Sequence, residues 1–133
     1  MIWQNYKNNI MKNKPKILLV DDDEILAIVT TEALSPEFEV NHVDNGQAAL
    51  ASLSQETPDL VLLDVDMPGM TGYEVCRKLR QNPEFANLPV IFLSGMVSEE
   101  DLQAGYEAGG KDYLTKPVAA DELCTRIKLL LEN

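Results

Sequence analysis

The sequence predicts an α/β fold in which five strands form a doubly wound, five-stranded parallel sheet covered by helices on both faces. Short apolar runs alternate five times with segments of helical periodicity, and strands that alternate with helices form parallel sheets through right-handed crossovers. In addition, acidic, hydroxyl and basic residues directly follow several of these runs. The length of 133 residues suits one domain with a sizeable core.

The five predicted strands differ in how they should be buried. Those at 16–20, 59–64 and 89–94 are almost continuously apolar, which is typical of central strands covered on both faces. The run at 37–43 alternates between apolar and polar residues, which favours an edge position. The last strand, at 111–117, is short.

Helical periodicity and capping residues delimit the predicted helices. Ile25, Ile28 and Val29 recur at helical spacing in the first helix. Asn45 is a suitable N-cap for the second helix, and Ser98 with Asp101 three residues later resembles a capping box at the start of the fourth. The predicted helices lie at 22–34, 46–53, 71–82, 98–109 and 119–133.

The fifth helix predicts one buried face and one exposed leucine. At 100° per residue, Leu123, Ile127 and Leu130 share the face that would pack on the sheet, whereas Leu129 falls on the outer side. Leu129 is either an ordinary exposed leucine or an anchor for a partner.

Composition excludes several function classes. The formal net charge is −11, which argues against direct binding to nucleic acid. No apolar run approaches the ~20 residues of a membrane span, and no signal peptide is visible, so we expect a cytoplasmic protein without membrane contact. Cys76 and Cys124 lack the spacing of a zinc site or a disulfide framework.

Residues 1–14 differ from the rest of the chain. They contain three lysines and no acid, and we expect a basic, flexible extension that precedes one domain at 15–133. Ile2, Tyr6 and Ile10 recur every four residues, so a short amphipathic helix is the alternative.

Polar residues follow four of the predicted strands. Asp21 and Asp22 come after the first strand, Asp64 ends the third, Ser94 ends the fourth, and Lys116 lies at the end of the fifth. Ligands of open parallel sheets bind beyond the carboxyl ends of the strands. We therefore expect these side chains to meet at one edge of the sheet.

The charges of this set indicate its chemistry. Three neighbouring carboxylates require a cation or must take up protons, and a site of a few oxygen ligands suits Mg²⁺, with Mn²⁺ as an expected substitute. A metal and an ammonium group beside a carboxylate nucleophile can support phosphoryl transfer, which gives an aspartyl phosphate.

Four stretches together resemble a known family. They are ILLVDDDE, PDLVLLDVDMPGMTGYEV, PVIFLSG and AGGKDYLTKP, and in this order and spacing they resemble the receiver domain of response regulators, the CheY-like phosphoacceptor module of two-component signalling. The resemblance covers about residues 15–131. It implies a flavodoxin-like fold with strand order 2-1-3-4-5.

The resemblance also implies roles for individual acidic residues. Asp64 would be the phosphoacceptor. Asp21 and Asp22 would form the acidic pair at the metal, with Asp22 as the direct Mg²⁺ ligand of the two. Asp64 and the backbone carbonyl of Asp66 would complete the protein ligands.

Further roles concern the switch. The Ser94 hydroxyl and Lys116 would contact the phosphoryl group, the Lys116–Pro117 bond would be cis, and the Tyr113 ring would turn inward as Ser94 moves toward the phosphoryl oxygens. Asp66 and Met96 would flank the path of the hydrolytic water. Met96 cannot orient water, so we expect a long-lived phosphate. Ser94 replaces the common threonine, and Gly95 follows it where alanine is frequent, which favours a looser switch.

The resemblance implies protein partners. The phosphoryl donor would be a sensor histidine kinase or a phosphotransfer protein. The face formed by the fourth helix, the fifth strand and the fifth helix would bind a downstream target or output domain, or a second copy in a phosphorylation-dependent dimer. The domain would catalyse only its own phosphorylation and slow dephosphorylation.

Four other interpretations fit parts of the pattern. Asp64-x-Asp66 also resembles haloacid-dehalogenase phosphatases, although Pro68 stands where a small Thr or Val is usual. The segment 64–75 resembles a calcium loop but ends in Val75 instead of a glutamate. A flavin-binding protein would share the fold but needs a phosphate loop after the first strand. A pseudo-receiver would keep the fold without accepting phosphate.

Overall fold

The structure, a computed structural model, describes residues 14–95 and 97–132. The expectations for the extension before Lys14 and for Met96 therefore lie outside the described residues. The elements in chain order are β1 (Lys16–Val20), α1 (Glu24–Leu34), β2 (Glu39–Val43), α2 (Gly46–Gln55), β3 (Leu60–Asp64), α3 (Gly72–Arg80), a 3₁₀ helix (Pro83–Phe85), β4 (Val90–Ser94), α4 (Glu99–Glu107), β5 (Asp112–Thr115) and α5 (Ala120–Glu132).

The strands form one parallel sheet in the order β2-β1-β3-β4-β5. The predicted fold class and strand order are confirmed. Every residue of β3 and β4 is buried, whereas β2 is largely exposed, as its alternating sequence predicts for an edge strand. The 3₁₀ helix was not predicted.

Alternate residues of the central strands face two separate cores. Leu18 and Val20 of β1 belong to the core beneath α2, α3 and α4. Ile17 and Leu19 belong to the core beneath α1 and α5. Because successive side chains of a strand point to opposite faces, a continuously apolar run is what this doubly covered sheet requires.

Element boundaries differ from the prediction at two places beside the candidate site. Helix α1 begins at Glu24 and not at residue 22, because Asp23 is its N-cap and accepts a hydrogen bond from the Leu26 backbone N–H at 3.0 Å. Strand β5 ends at Thr115, since Pro117 has no N–H with which to continue the ladder.

The predicted caps and the predicted face of the last helix are confirmed. Asn45 caps α2, and Ser98 and Asp101 form a complete capping box at α4. In α5, Ile127 is fully buried while Leu129 is 53% exposed. Within residues 14–95 and 97–132, none of the helices is both long enough and apolar enough to cross a membrane.

The start of α3 is packed directly against the chain that leaves β3. A Cβ at Gly72 would lie 2.5 Å from the Asp64 carbonyl oxygen and 2.9 Å from the Val65 Cα. The Gly72 N–H also donates to the Val65 carbonyl at 3.0 Å. This contact is possible only without a side chain, and it fixes the backbone on which Asp64 stands.

Gly72→Ala should therefore destabilise the fold by about 2 kcal/mol, because the new methyl group meets backbone that cannot move aside easily. Urea denaturation with an unchanged m value would measure the effect. Gly95→Ala is the matched control, since nothing lies within 4 Å of a Cβ there, and its midpoint should stay close to that of the parent. Equal midpoints for both variants would contradict the packing argument.

Candidate functional site

The strand order places the predicted polar residues at one edge of the sheet. Asp21 directly follows β1, Asp64 ends β3, Ser94 ends β4, and Lys116 follows β5. The chain leaves β1 for β2 on one side and reaches β3 on the other, so the edge above β1 and β3 is a topological switch point. The sheet itself thus assembles the site.

Three carboxylates form the acidic part of the site. Ligand oxygens of Asp21, Asp22 and Asp64 lie within 4.8 Å of one another. Asp21 and Asp64 are only 2% and 3% exposed, whereas Asp22 is exposed. Such a set of oxygen ligands, with one side open to water, fits a small hard cation such as Mg²⁺. The role of the Asp66 carbonyl as a further ligand stays a prediction.

Lys116 supplies the positive charge among these acids. Its Nζ lies 3.2 Å from Asp64 Oδ1 and 3.6 Å from Asp21 Oδ2. The Lys116–Pro117 bond is cis, as expected, and the Lys116 backbone N–H donates to the Ser94 carbonyl at 2.8 Å. The lysine is therefore anchored to the end of β4 and reaches across to both buried carboxylates.

Burial disfavours the ionised form of the Asp64 carboxyl and so raises its pKa. Desolvation raises the pKa of the Asp64 carboxyl to about 6, against the opposing effect of Lys116, and the charge of Asp21 raises it further. A cation held by these carboxylates would relieve both the repulsion and part of the burial penalty. The site is therefore electrostatically suited to bind one.

Ser94 is buried at the site and contacts a carboxylate other than the predicted phosphoacceptor. Its Oγ donates to Asp66 Oδ2 at 3.0 Å. The backbone N–H of Asp66 lies 3.3 Å from Asp64 Oδ1 and donates to it. The sequence placed Asp66 beside a water path, and the structure adds this contact with the hydroxyl that should serve the phosphoryl group.

Tyr113 lies away from the acidic cluster, on the side of β5 that faces α4. Its ring is 8% exposed and packs near Phe92, with 5.9 Å between ring centroids. Its hydroxyl lies 2.9 Å from that of Tyr73. The sequence-based expectation was a ring that turns inward on phosphorylation, and in this structure the ring is already inside.

Sequence reasoning missed three contributors. Asp23, for which the sequence suggested only extra acidity or a charge at a helix N-terminus, caps α1, and its own N–H donates to Asp21 Oδ1 at 2.9 Å. A ring nitrogen of His42 lies 2.8 Å from the Asp21 carbonyl oxygen. Tyr73 bonds to Tyr113 across 40 positions of sequence. Only Asp23 left a local signal, an acidic residue directly before a helical pattern.

The calcium-loop interpretation is wrong. Position 12 of such a loop must present a bidentate glutamate to the ion, but Val75 is fully buried in the core beneath α2 and α3. The residues from Gly72 onward form α3, so the segment does not close around a cation.

The fold, the acidic cluster and its lysine together define a receiver domain of the two-component type. Residues 17–128 match the response regulator receiver domain family. The chain belongs to that family.

Individual relatives support this membership. The phosphate regulon transcriptional regulatory protein PhoB of Rhizobium meliloti is 40% identical over 120 residues, which cover 90% of this chain and 53% of the relative. The response regulator PleD of Caulobacter vibrioides is 39% identical over 116 residues, 86% of this chain and 26% of the relative. The chain thus spans about half or less of these curated relatives.

Solved structures of response regulators also support this membership. A response regulator from Chloroflexus aurantiacus has a TM-score of 0.86 at 34% identity, over 91% of this chain and 100% of that one. The chemotaxis protein CheY4 of Vibrio cholerae has a TM-score of 0.84 at 28% identity, over 87% of this chain and 98% of that one.

The raised pKa of Asp64 predicts how stability depends on pH. Its value of about 6 in the folded chain, against 3.8 ordinarily, means that the folded state binds a proton that the unfolded state has lost. Stability in magnesium-free buffer should therefore fall as the pH rises from about 4 through 6. Asp64→Asn removes this penalty and should stabilise the chain at pH 7.5 by on the order of 2 kcal/mol, with little effect near pH 3.5.

Urea titrations of both proteins across this pH range would measure the difference. Asp44→Asn is the control, since Asp44 is an exposed carboxylate outside the acidic cluster. A gain at Asp64→Asn that is equal at pH 3.5 and 7.5 would contradict the assigned cause.

Proposed function

We propose that this chain accepts a phosphoryl group on Asp64 in a Mg²⁺-dependent reaction and thereby switches a protein-binding face. The observation that carries the proposal is the placement of one buried carboxylate beside two further acids and an ammonium group at the edge of the sheet. Membership of the receiver family supports it. The donor would be a histidine kinase or a phosphotransfer protein.

The transfer step follows from the chemistry of the groups. A carboxylate oxygen of Asp64 attacks phosphorus, an O–P bond forms, and the P–N bond to the donor imidazole breaks with its electron pair leaving on nitrogen. Lys116 lies within 3.2 Å of Asp64, so its ammonium group can contact an oxygen of the arriving phosphoryl group. The protein mainly positions the reactants.

Asp21, Asp22 and Asp64, with the Asp66 carbonyl, would hold the metal. Bound Mg²⁺, or Mn²⁺ in its place, would neutralise charge on the phosphoryl oxygens. Asp21 is kept in place by the Asp23 N–H and His42 contacts. Buried and supported in this way, Asp21 can present its carboxylate without moving.

The switched face would consist of α4, β5 and α5. We propose that Ser94 and Tyr113 couple it to Asp64, since Ser94 ends β4 beside the site and Tyr113 packs near α4. Apolar side chains exposed on or beside these helices include Val97, Tyr106 and Leu129. The partner would be a target protein, an output domain or a second copy, and the domain would turn over no external substrate.

Incubation with acetyl phosphate and Mg²⁺ should add one phosphoryl group to the chain, because Asp64 is the carboxylate closest to Lys116. Intact-mass measurement would show it. Asp64→Asn should remain unmodified, and so should the parent in excess chelator.

Asp59→Asn is the matched control and should be labelled like the parent, since Asp59 is exposed and precedes β3 at its opposite end. Labelling of Asp64→Asn equal to that of the parent would contradict the assignment of Asp64 as the phosphoacceptor. A properly folded parent that takes no label would favour the pseudo-receiver interpretation.

Ser94→Ala should leave phosphorylation measurable and abolish most of its effect on α4, because the hydroxyl is the proposed link between phosphoryl group and switch. Amide chemical shifts of α4 before and after phosphorylation would test this. Ser54→Ala, an exposed serine in α2, should behave like the parent. Undiminished shifts in the Ser94→Ala variant would refute the link.

Leu129→Glu should leave folding and labelling intact, because its side chain is 53% exposed, and should weaken a phosphorylation-dependent dimer or target complex at least tenfold, as expected of a buried interface anchor. Sedimentation and partner titration would measure it. Ile127→Glu, at a fully buried position of the same helix, should unfold the chain. Normal binding by Leu129→Glu would place the contact elsewhere.

A further inference from the structure

Tyr73 joins three elements that the proposed switch must move together. It lies in α3, near the start of that helix. Its hydroxyl oxygen is 2.9 Å from the Tyr113 hydroxyl of β5 and 3.3 Å from the Asp101 carbonyl oxygen in the first turn of α4. The phosphoryl-transfer chemistry does not use this residue.

The Tyr73 hydroxyl contacts both a backbone carbonyl and a second hydroxyl. A tyrosine hydroxyl has one proton to donate, and a carbonyl can only accept. Tyr73 donates to the Asp101 carbonyl at 3.3 Å, and its oxygen lies 2.9 Å from the Tyr113 hydroxyl, where either oxygen can be the donor. Burial raises the pKa of the Tyr73 hydroxyl above its ordinary value, and the bond with Tyr113 raises it further. The Tyr73 hydroxyl is therefore protonated at neutral pH.

The surrounding packing is shaped for a buried Tyr113 ring. Tyr73 and Phe92 meet edge to face with 5.2 Å between centroids, and Phe92 lies 5.9 Å from Tyr113. In α4, a Cβ at Gly105 would lie 2.9 Å from Tyr113 Cδ2 and 3.1 Å from Phe92 Cδ2.

A glycine inside a helix costs roughly 1 kcal/mol relative to alanine. The glycine at position 105 has this cost, but the absence of a side chain there leaves space for the Tyr113 ring. The helix and the tyrosine pair therefore favour the same position of the ring, independently of each other.

We propose that Tyr73 is a positioning residue for the switch. Its hydroxyl holds the Tyr113 ring inside before any phosphoryl group arrives and ties that ring to the first turn of α4. The significance for signalling rests on the proposed function, whereas the link itself belongs to the unphosphorylated chain. As a consequence, the switched face of α4, β5 and α5 already has the Tyr113 ring in its inward position before phosphorylation. Phosphorylation then changes α4 less than it would without this hydroxyl.

The test uses the full chain with Tyr73→Phe, Tyr113→Phe and the double variant. Tyr73→Phe keeps the ring contacts and removes only the hydroxyl. Broadening of Tyr113 ring NMR signals by a soluble paramagnetic probe reports ring exposure without phosphate, and amide exchange reports the first turn of α4. Tyr73→Phe should raise the exposed population of the ring about fivefold, as expected for one lost hydrogen bond, and should accelerate exchange near Asp101.

Two controls separate positioning from general weakening. Tyr106→Phe changes an exposed tyrosine of α4 and should alter neither signal. Gly105→Ala leaves both hydroxyls in place and should expel the ring by sterics alone. A Tyr73→Phe variant that melts earlier while its Tyr113 ring stays as protected as in the parent would overturn the proposal.

The double variant gives an independent criterion. If the two hydroxyls act through each other, their effects on amide exchange in α4 will be clearly less than additive, and strict additivity would overturn the link. Acetyl phosphate labelling of Asp64 is measured separately. A chain that shows the ring response but takes no label would remove the proposed function and leave the tyrosine link standing.

Discussion

The ion pair between Lys116 and Asp64 is the interaction on which the site depends. Two carboxylates, Asp21 and Asp64, are almost completely buried side by side, which would be costly without a positive charge between them. Lys116 supplies that charge from the end of β5. It balances only part of the negative charge, because Asp22 is a third acid at the same edge. The remaining imbalance makes the site receptive to a cation.

Two glycines allow close contacts that position Asp64 and the Tyr113 ring. Gly72 lets α3 approach the carbonyl of Asp64, and Gly105 leaves room beside Tyr113. Neither glycine has the positive φ that only two other described glycines show. Both therefore serve close packing and not backbone conformation. Residues without functional groups thus decide where the phosphoacceptor candidate and the switch ring can lie.

The sequence predicted the fold almost completely, because a sheet covered on both faces needs continuously apolar strands and because α2 and α4 begin with recognisable capping residues. It also predicted that Asp21, Asp64, Ser94 and Lys116 would meet, since strand ends of one parallel sheet share an edge. It could not predict the bond between Tyr73 and Tyr113. That contact depends on how α3 and α4 pack, and an aromatic residue near a helix start carries no sign of its partner.

The position of the Tyr113 ring was also beyond the sequence. Both rotamers of a switch aromatic are compatible with the same pattern of apolar residues. The hydroxyl contact with Tyr73 and the space above Gly105 both favour the inward position. Asp23 shows the opposite case, because its role as an N-cap is local and could have been inferred from its place directly before a helical pattern.

The hydrogen bond from Ser94 to Asp66 has a consequence for any anion that arrives at Asp64. A serine hydroxyl carries a single proton, and here that proton points to Asp66 Oδ2. A phosphoryl oxygen that accepts this hydrogen bond must therefore displace the Asp66 carboxylate. Asp66 therefore competes with an arriving phosphoryl group for the Ser94 hydroxyl. The difference in strength between the two hydrogen bonds sets how completely the hydroxyl moves from Asp66 to the phosphoryl group.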